Sequence, residues 1–267
     1  MSRIQNTFTR LKNENRKALI PFITAGYPEL NDTVELMHAL VRGGSDIIEL
    51  GVPFSDPMAD GPVIQRSSEI ALENGITLSD IFGFVQEFRK TDQDTPVVLM
   101  GYANPVERMG VETFVTKASQ SGTDGVLIVD YPPEESVYFA RLMKQNGMDT
   151  IFLLAPTSTE KRMKMIGELA SGYVYYVSLR GVTGASTLNL EEVGQVMSAV
   201  KKHVSVPVCV GFGIRDGDTA RAVGMLSDGV VIGSRLIQVI NSAEKNAVKN
   251  DLEAFALGIR KRMDETE

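Results

Sequence analysis

Two acidic residues sit where their types and spacing allow acid–base chemistry. Glu49 lies inside the apolar run Asp46-Ile-Ile-Glu-Leu-Gly-Val-Pro53. A carboxylate in such a setting is destabilising unless it is paired or put to use. A buried ion pair accounts for it, and so does a proton donor whose acid form is favoured by desolvation. Asp60 belongs to the loop Pro53-Phe-Ser-Asp-Pro-Met-Ala-Asp-Gly-Pro62, which prolines stiffen and Gly61 hinges. Asp56 and Asp60 also suit ordinary turn positions. Glycines form a third feature: Gly181-Val-Thr-Gly184, Gly211-Phe-Gly213 and Gly233-Ser234 close three successive apolar runs near the C-terminus. Backbone amides and a helix N-terminus attract a phosphate, and glycine lets the backbone come close to it. Turning the chain is the plainer use for each pair. Phe22, Tyr102, Tyr175 and Phe212 fall at or near the ends of apolar runs, where they either pack the core or line a pocket for a flat ring.

The elements that would position these groups recur regularly. Eight apolar runs read as strands: Ala18–Ala25, Asp46–Val52, Pro96–Tyr102, Gly125–Asp130, Thr150–Ala155, Tyr173–Ser178, Pro207–Gly213 and Gly229–Gly233. Near-continuous apolar runs, rather than strict alternation, suit strands of a parallel sheet covered on both faces. Helical patterns lie between them. Thr33–Val41 sets Val34, Met37, His38 and Val41 on one face; Val111–Gln120, Glu134–Gln145, Thr159–Leu169, Leu190–His203 and Gly217–Leu226 follow. Thr159 and Asp216 are expected N-caps. The stretch Phe54–Lys90 holds a loop and two helical segments after the second strand. Strand–helix alternation of this kind predicts a (β/α)8 barrel, an α/β fold, as a single domain over residues 1–267. An open doubly wound sheet would show a glycine fingerprint after its first strand, where this chain has Ala25-Gly26-Tyr27-Pro28. A short internal echo, Asp124-Gly-Val-Leu-Ile128 and Asp228-Gly-Val-Val-Ile232, hints at half-barrel symmetry.

Composition narrows the function classes. The chain has 267 residues, about the ~250 typical of such barrels, and a net charge of −7 without a basic cluster, which argues against nucleic acid. Met1 to Lys17 is polar, unlike a signal peptide, and no apolar run is long enough to span a bilayer. Cys209 is the single cysteine, so no internal disulfide is possible, and a reducing cytoplasm is the expected setting. His38 and His203 show no metal-ligand spacing and are expected on helix surfaces. A Schiff-base aldolase would need a lysine at a strand end, and the runs above end in none. A catalytically silent barrel that only activates a partner would not need both Glu49 and Asp60.

The segment Ile48-Glu-Leu-Gly-Val-Pro-Phe-Ser-Asp-Pro-Met-Ala-Asp-Gly-Pro62 resembles the signature of tryptophan synthase α chains. Pro21-Phe-Ile-Thr-Ala-Gly-Tyr-Pro28, Tyr175-Tyr-Val-Ser-Leu-Arg-Gly-Val-Thr-Gly184 and Gly211-Phe-Gly-Ile214 are similar to other parts of it, and the likeness runs end to end. The resemblance implies a (β/α)8 barrel that cleaves indole-3-glycerol phosphate to indole and glyceraldehyde 3-phosphate. It implies no cofactor in this chain, and a pyridoxal-phosphate-containing β subunit as partner in an α2β2 assembly. Carried over position by position, Glu49 is the general acid/base and Asp60 the second, better solvated carboxylate. Phe22, Tyr102, Tyr175 and Phe212 surround the indole and glycerol parts. Gly184, Gly213, Gly233 and Ser234 cradle the phosphate, and Thr183 meets Asp60 when the loops Phe54–Pro62 and Leu179–Leu188 close. Two positions vary: Met100 stands where another aliphatic residue is common, and Leu179-Arg180 replaces an Arg-Ala order.

Overall fold

The computed structural model describes residues 1–177, 190–211 and 213–265. Its sheet runs β1 (Ala18–Thr24), β2 (Ile48–Gly51), β3 (Val97–Gly101), β4 (Gly125–Ile128), β5 (Asp149–Leu154), β6 (Val174–Val177), β7 (Val208–Gly211) and β8 (Gly229–Ile232). Each strand pairs in parallel with the next, and β8 returns to β1, closing an eight-stranded barrel. All eight expected strands are present, each inside its sequence-read run except β5, which begins one residue earlier, at Asp149.

Alternate strand residues feed two apolar clusters, as the pleat requires. Ile20, Ile47, Val98, Leu127, Ile151, Tyr173, Cys209 and Val231 belong to the inner one. Their neighbours Leu19, Ile48, Leu99, Val126, Val210 and Val230 join the larger cluster beneath the surrounding helices. Ile4, Phe8 and Leu11 of α1 (Arg3–Asn13) complete the inner cluster, so this helix plugs one end of the barrel. By composition the segment is polar and unlike a signal peptide; the spacing of its three apolar residues carries the amphipathic signal.

Six helices match the sequence patterns: α2 (Thr33–Arg42), α6 (Val111–Ser121), α7 (Val137–Gln145), α8 (Glu160–Leu169), α9 (Leu190–Val200) and α10 (Gly217–Leu226). The stretch after β2 holds α3 (Pro62–Glu73) and α4 (Leu78–Arg89), as expected. Thr159 and Asp216 do cap their helices, each accepting a hydrogen bond from the amide three residues on. Three expectations need correction. Helix α7 starts at Val137 rather than Glu134, since Pro132 and Pro133 open a turn closed by backbone bonds from Glu135 and Ser136. The fully buried face of α2 is Thr33, Leu36, Met37 and Leu40 rather than Val34, Met37, His38 and Val41. His38 is half-buried, not on the open surface: its ring lies 4.7 Å from that of Phe88 and bonds the Thr91 hydroxyl. His203 is half-buried as well. Helices α5 (Ala103–Met109), α11 (Ser234–Ser242) and α12 (Val248–Asp264) have no counterpart among the sequence patterns.

A repeated device closes the strand N-terminal ends. The Asp46 carboxylate accepts the Leu19 amide while the Asp46 amide donates to the Leu19 carbonyl. Asp124 does the same with Val97, and Asp228 with Val208. Ser171 does so with Thr150, its hydroxyl taking the place of the carboxylate. The sequence echo at Asp124 and Asp228 is thus part of a motif occurring four times, once for every second strand. Among the described residues, no helix is long and apolar enough to cross a membrane.

Candidate active site

Glu49 lies on β2, in register with Phe22 of β1 and Val98 of β3. It shares the inward parity of Ile47, so the barrel interior buries it completely, at 0% exposure. Its Oε1 accepts a hydrogen bond of 2.5 Å from the hydroxyl of Tyr173. Its Oε2 is buried and has no hydrogen-bond partner among the described residues. Burial raises the carboxyl to about 7, against the opposing pull of the Tyr173 bond. The group is therefore poised to give or take a proton near neutrality, where general acid–base catalysis works best. The ion-pair reading of Glu49 fails: its described partner is a phenol. Burial also holds the hydroxyls of Tyr173 and Tyr175 well above their ordinary range, so both stay protonated donors.

Asp60 sits in the loop between β2 and α3 and is fixed by Tyr102, the residue after β3. The Tyr102 hydroxyl donates to Asp60 Oδ2 at 3.0 Å and accepts the Ala59 amide at 3.1 Å. The Phe54 ring lies 5.4 Å from the Tyr102 ring, so one aromatic side chain holds the loop at three points. Partial burial raises the Asp60 carboxyl, with the Tyr102 bond opposing. Asp60 is better solvated than Glu49, as expected, but it is not a free surface carboxylate. Asp56 takes the turn role: it is exposed, its side chain accepts from Ser55, and its carbonyl accepts the Met58 amide.

A cleft opens at the C-terminal ends of β1 to β4. Phe22, Gly51, Val52, Asp60, Ile64, Ser68, Met100, Gly101, Tyr102 and Val129 line it. Three expected residues, Phe22, Asp60 and Tyr102, therefore meet in one cavity. Ile64 and Ser68 of α3 and Val129 were not singled out in the sequence. Nor was Tyr173, whose link to Glu49 spans 124 positions. Glu49 itself does not line the cleft; it lies deeper in the barrel, against Tyr173.

The strand-end glycines divide into two uses. A Cβ on Gly211 would fall 2.0 Å from the Tyr175 hydroxyl, and one on Gly51 would fall 2.5 Å from the Phe22 ring. Both glycines make room for aromatic rings. Gly213 has φ of 76°, open to glycine at no steric penalty. Gly233 precedes α11 and Ser234 opens it, with no side chain capping the helix. A Cβ on Gly233 would stand 3.5 Å from Phe22 and 3.6 Å from Ile64, so this helix start adjoins the cleft. Thr183, Gly184, Phe212 and the loop Leu179–Leu188 lie outside the described residues.

A closed eight-stranded parallel barrel ringed by helices, with an aromatic cleft at the C-terminal ends of its strands and a helix N-terminus beside it, has the architecture of the (β/α)8 enzymes. The comparisons give the particular member. The sequence profile described as tryptophan synthase alpha chain matches residues 8–265. A tryptophan synthase alpha chain from Cupriavidus pinatubonensis is 62% identical over 264 residues, covering 99% of this chain and 100% of the relative. One from Burkholderia multivorans is 60% identical, covering 99% and 97%. The crystal structure of tryptophan synthase subunit alpha from Legionella pneumophila superposes with a TM-score of 0.93 at 42% identity, covering 99% of each chain. The chain belongs to the tryptophan synthase alpha chain family. It is accordingly a lyase that splits indole-3-glycerol phosphate into indole and glyceraldehyde 3-phosphate, the indole passing to a β subunit that makes L-tryptophan.

Proposed function

We propose that Glu49 and Asp60 divide the chemistry of this cleavage. The substrate must take a proton at indole C3, which turns the ring into an electron sink. The side-chain hydroxyl then loses its proton, the carbon–carbon bond to C3 breaks, and its electron pair returns to restore the aromatic ring as the aldehyde forms. One proton is given and one is taken, so a single carboxyl that alternates between acid and base ends as it began. A carboxyl held at about 7 suits that alternation, and Oε2 of Glu49, without a described partner, is the oxygen available for it. The Asp60 carboxylate accepts the ring N–H and stabilises positive charge on the ring.

Phe22, Tyr102 and Tyr175 flank the ring and glycerol parts, and Phe212 and Thr183 take the places that the family resemblance gives them. The phosphate rests on the backbone at Gly213, Gly233, Ser234 and Gly184. The observation that carries the reading is an interior carboxyl poised near neutrality, deeper in the barrel than the cleft in which Tyr102 holds a second carboxylate. No cofactor takes part in this chain, and pyridoxal phosphate belongs to the β partner. The chain acts as one domain in a cytoplasmic α2β2 assembly whose contact includes the loop Phe54–Pro62. Pro53, just before this loop, is buried, while Met58 within it is 79% exposed, an apolar side chain open to a partner. Incubating the chain with indole-3-glycerol phosphate, alone and with the β subunit, tests both parts. Indole release should fall at least ~10²-fold in Glu49→Gln. Near-normal release in that variant, or a lone monomer in the mixture, refutes the corresponding part.

A further inference from the structure

Helix α1 lies at the barrel end opposite the cleft, yet only two contacts separate it from Glu49. Its N-cap Ser2 donates to Asp149 at 2.6 Å, Arg3 pairs with Asp124 at 2.8 Å, and Arg10 reaches Asp46 at 3.2 Å. These bonds tie the helix to the N-terminal ends of β2, β4 and β5. Between them, Ile4, Phe8 and Leu11 point into the barrel and are 9% exposed or less. The Phe8 ring lies 6.0 Å from that of Tyr173, at 54°. The Tyr173 hydroxyl in turn holds Oε1 of Glu49. A phenol is fixed by its ring packing and its hydrogen bond together, and Phe8 is the ring that meets it from below.

We infer that Tyr173 is a positioning residue for the lyase reaction, holding Glu49 by one carboxyl oxygen, and that Phe8 of α1 supports it from the far end of the barrel. The inference rests on Glu49 being the acid/base of the cleavage. Among the described residues, no positively charged side chain takes part in the link. Among the described residues, the titratable groups facing Glu49 are Tyr173 and Tyr175, from β6 and its approach, and Cys209 of β7, all kept in their neutral forms by burial. On α1, Arg3 and Arg10 are paired at the rim and Lys12 is exposed. Tyr173 thus has a defined effect: its bond favours the charged carboxylate and opposes desolvation.

The test is a double-mutant cycle in the full chain, read as the pH dependence of kcat for indole release. Tyr173→Phe keeps the ring on Phe8 and removes only the donor. The limb reporting the essential carboxyl should move to higher pH by on the order of one unit, with KM changed less than about twofold. Phe8→Ala should move the same limb in the wild-type background, and that movement should vanish once Tyr173 is Phe. Phe8→Leu, which retains apolar bulk, serves in the same cycle if the alanine variant fails to fold. A limb that stays in place in Tyr173→Phe overturns the positioning role. Additive shifts from the two sites overturn the support through Phe8. A Glu49→Gln variant with normal turnover marks instead a failure of the acid/base assignment on which the inference rests.

Discussion

Replacing Glu49 by glutamine should abolish turnover and, at alkaline pH, make the protein more stable. The carboxyl is ionised with an ordinary value of 4.5 in the unfolded chain but about 7 in the barrel. Between these values the folded chain holds a proton that the unfolded chain has lost. Stability therefore falls as pH rises through this window, and is level above about 7. The gap of 2.5 units between 4.5 and about 7 corresponds to about 3 kcal/mol at 1.36 kcal/mol per unit. Glutamine has a similar shape, can accept the Tyr173 bond through its carbonyl, and does not titrate. Urea unfolding of both proteins, followed by circular dichroism, should show the glutamine variant gaining about 3 kcal/mol on the parent between about pH 4.5 and pH 9. Parallel stability curves across that range would mean that Glu49 is not desolvated when charged, and the argument for its proton affinity would fall with them.

Asp60→Asn keeps the shape of the loop residue but removes the charge facing the ring nitrogen. Indole release should drop on the order of 10²-fold, while binding of inorganic phosphate, followed calorimetrically, stays within about twofold; an equal loss of both would mean the loop had collapsed. Gly211→Ala would put a methyl 2.0 Å from the Tyr175 hydroxyl, forcing that ring aside. Turnover should fall on the order of 10²-fold with the fold retained by circular dichroism, and unchanged turnover would remove Tyr175 from the substrate site. Asp124→Asn breaks a carboxylate that serves Arg3, Arg89 and the Val97 amide. Leaving the Arg89 charge buried should lower stability by about 3–5 kcal/mol in urea unfolding, and a loss below ~1 kcal/mol would show that water replaces the pair.

The strands were legible because each is apolar on both faces, the pattern that a covered parallel sheet imposes. Their ends were less so: the run Pro96–Tyr102 shortens to Val97–Gly101, since only ladder bonds define a strand and residue type does not. Helix α12 has no counterpart among the sequence patterns although Val248, Leu252, Ala256 and Ile259 recur at helical spacing. Glu49 and Asp60 stood out by type and context. Tyr173 did not, since a tyrosine opening an apolar run looks like packing until the barrel closes and sets it across from β2. Gly211 was read with the phosphate glycines, and its neighbour across the barrel wall shows the different reason for it. Sequence shows that a side chain is absent there; only the fold shows what fills the space.

The paired bonds at Asp46, Asp124, Ser171 and Asp228 also bear on how the barrel comes apart. Each joins the start of an odd strand to the residues just before the next even one, so β1 with β2, β3 with β4, β5 with β6 and β7 with β8 form four staves. Among the described residues, the seams between staves have the backbone ladder but no such side-chain lock. A ring of this kind need not open one strand at a time. Its weakest lines run between staves, so partial unfolding should release strands two by two, as cooperative units. In amide exchange, β3 and β4 would then lose protection together, while β4 and β5, neighbours of equal standing in the sheet, could part.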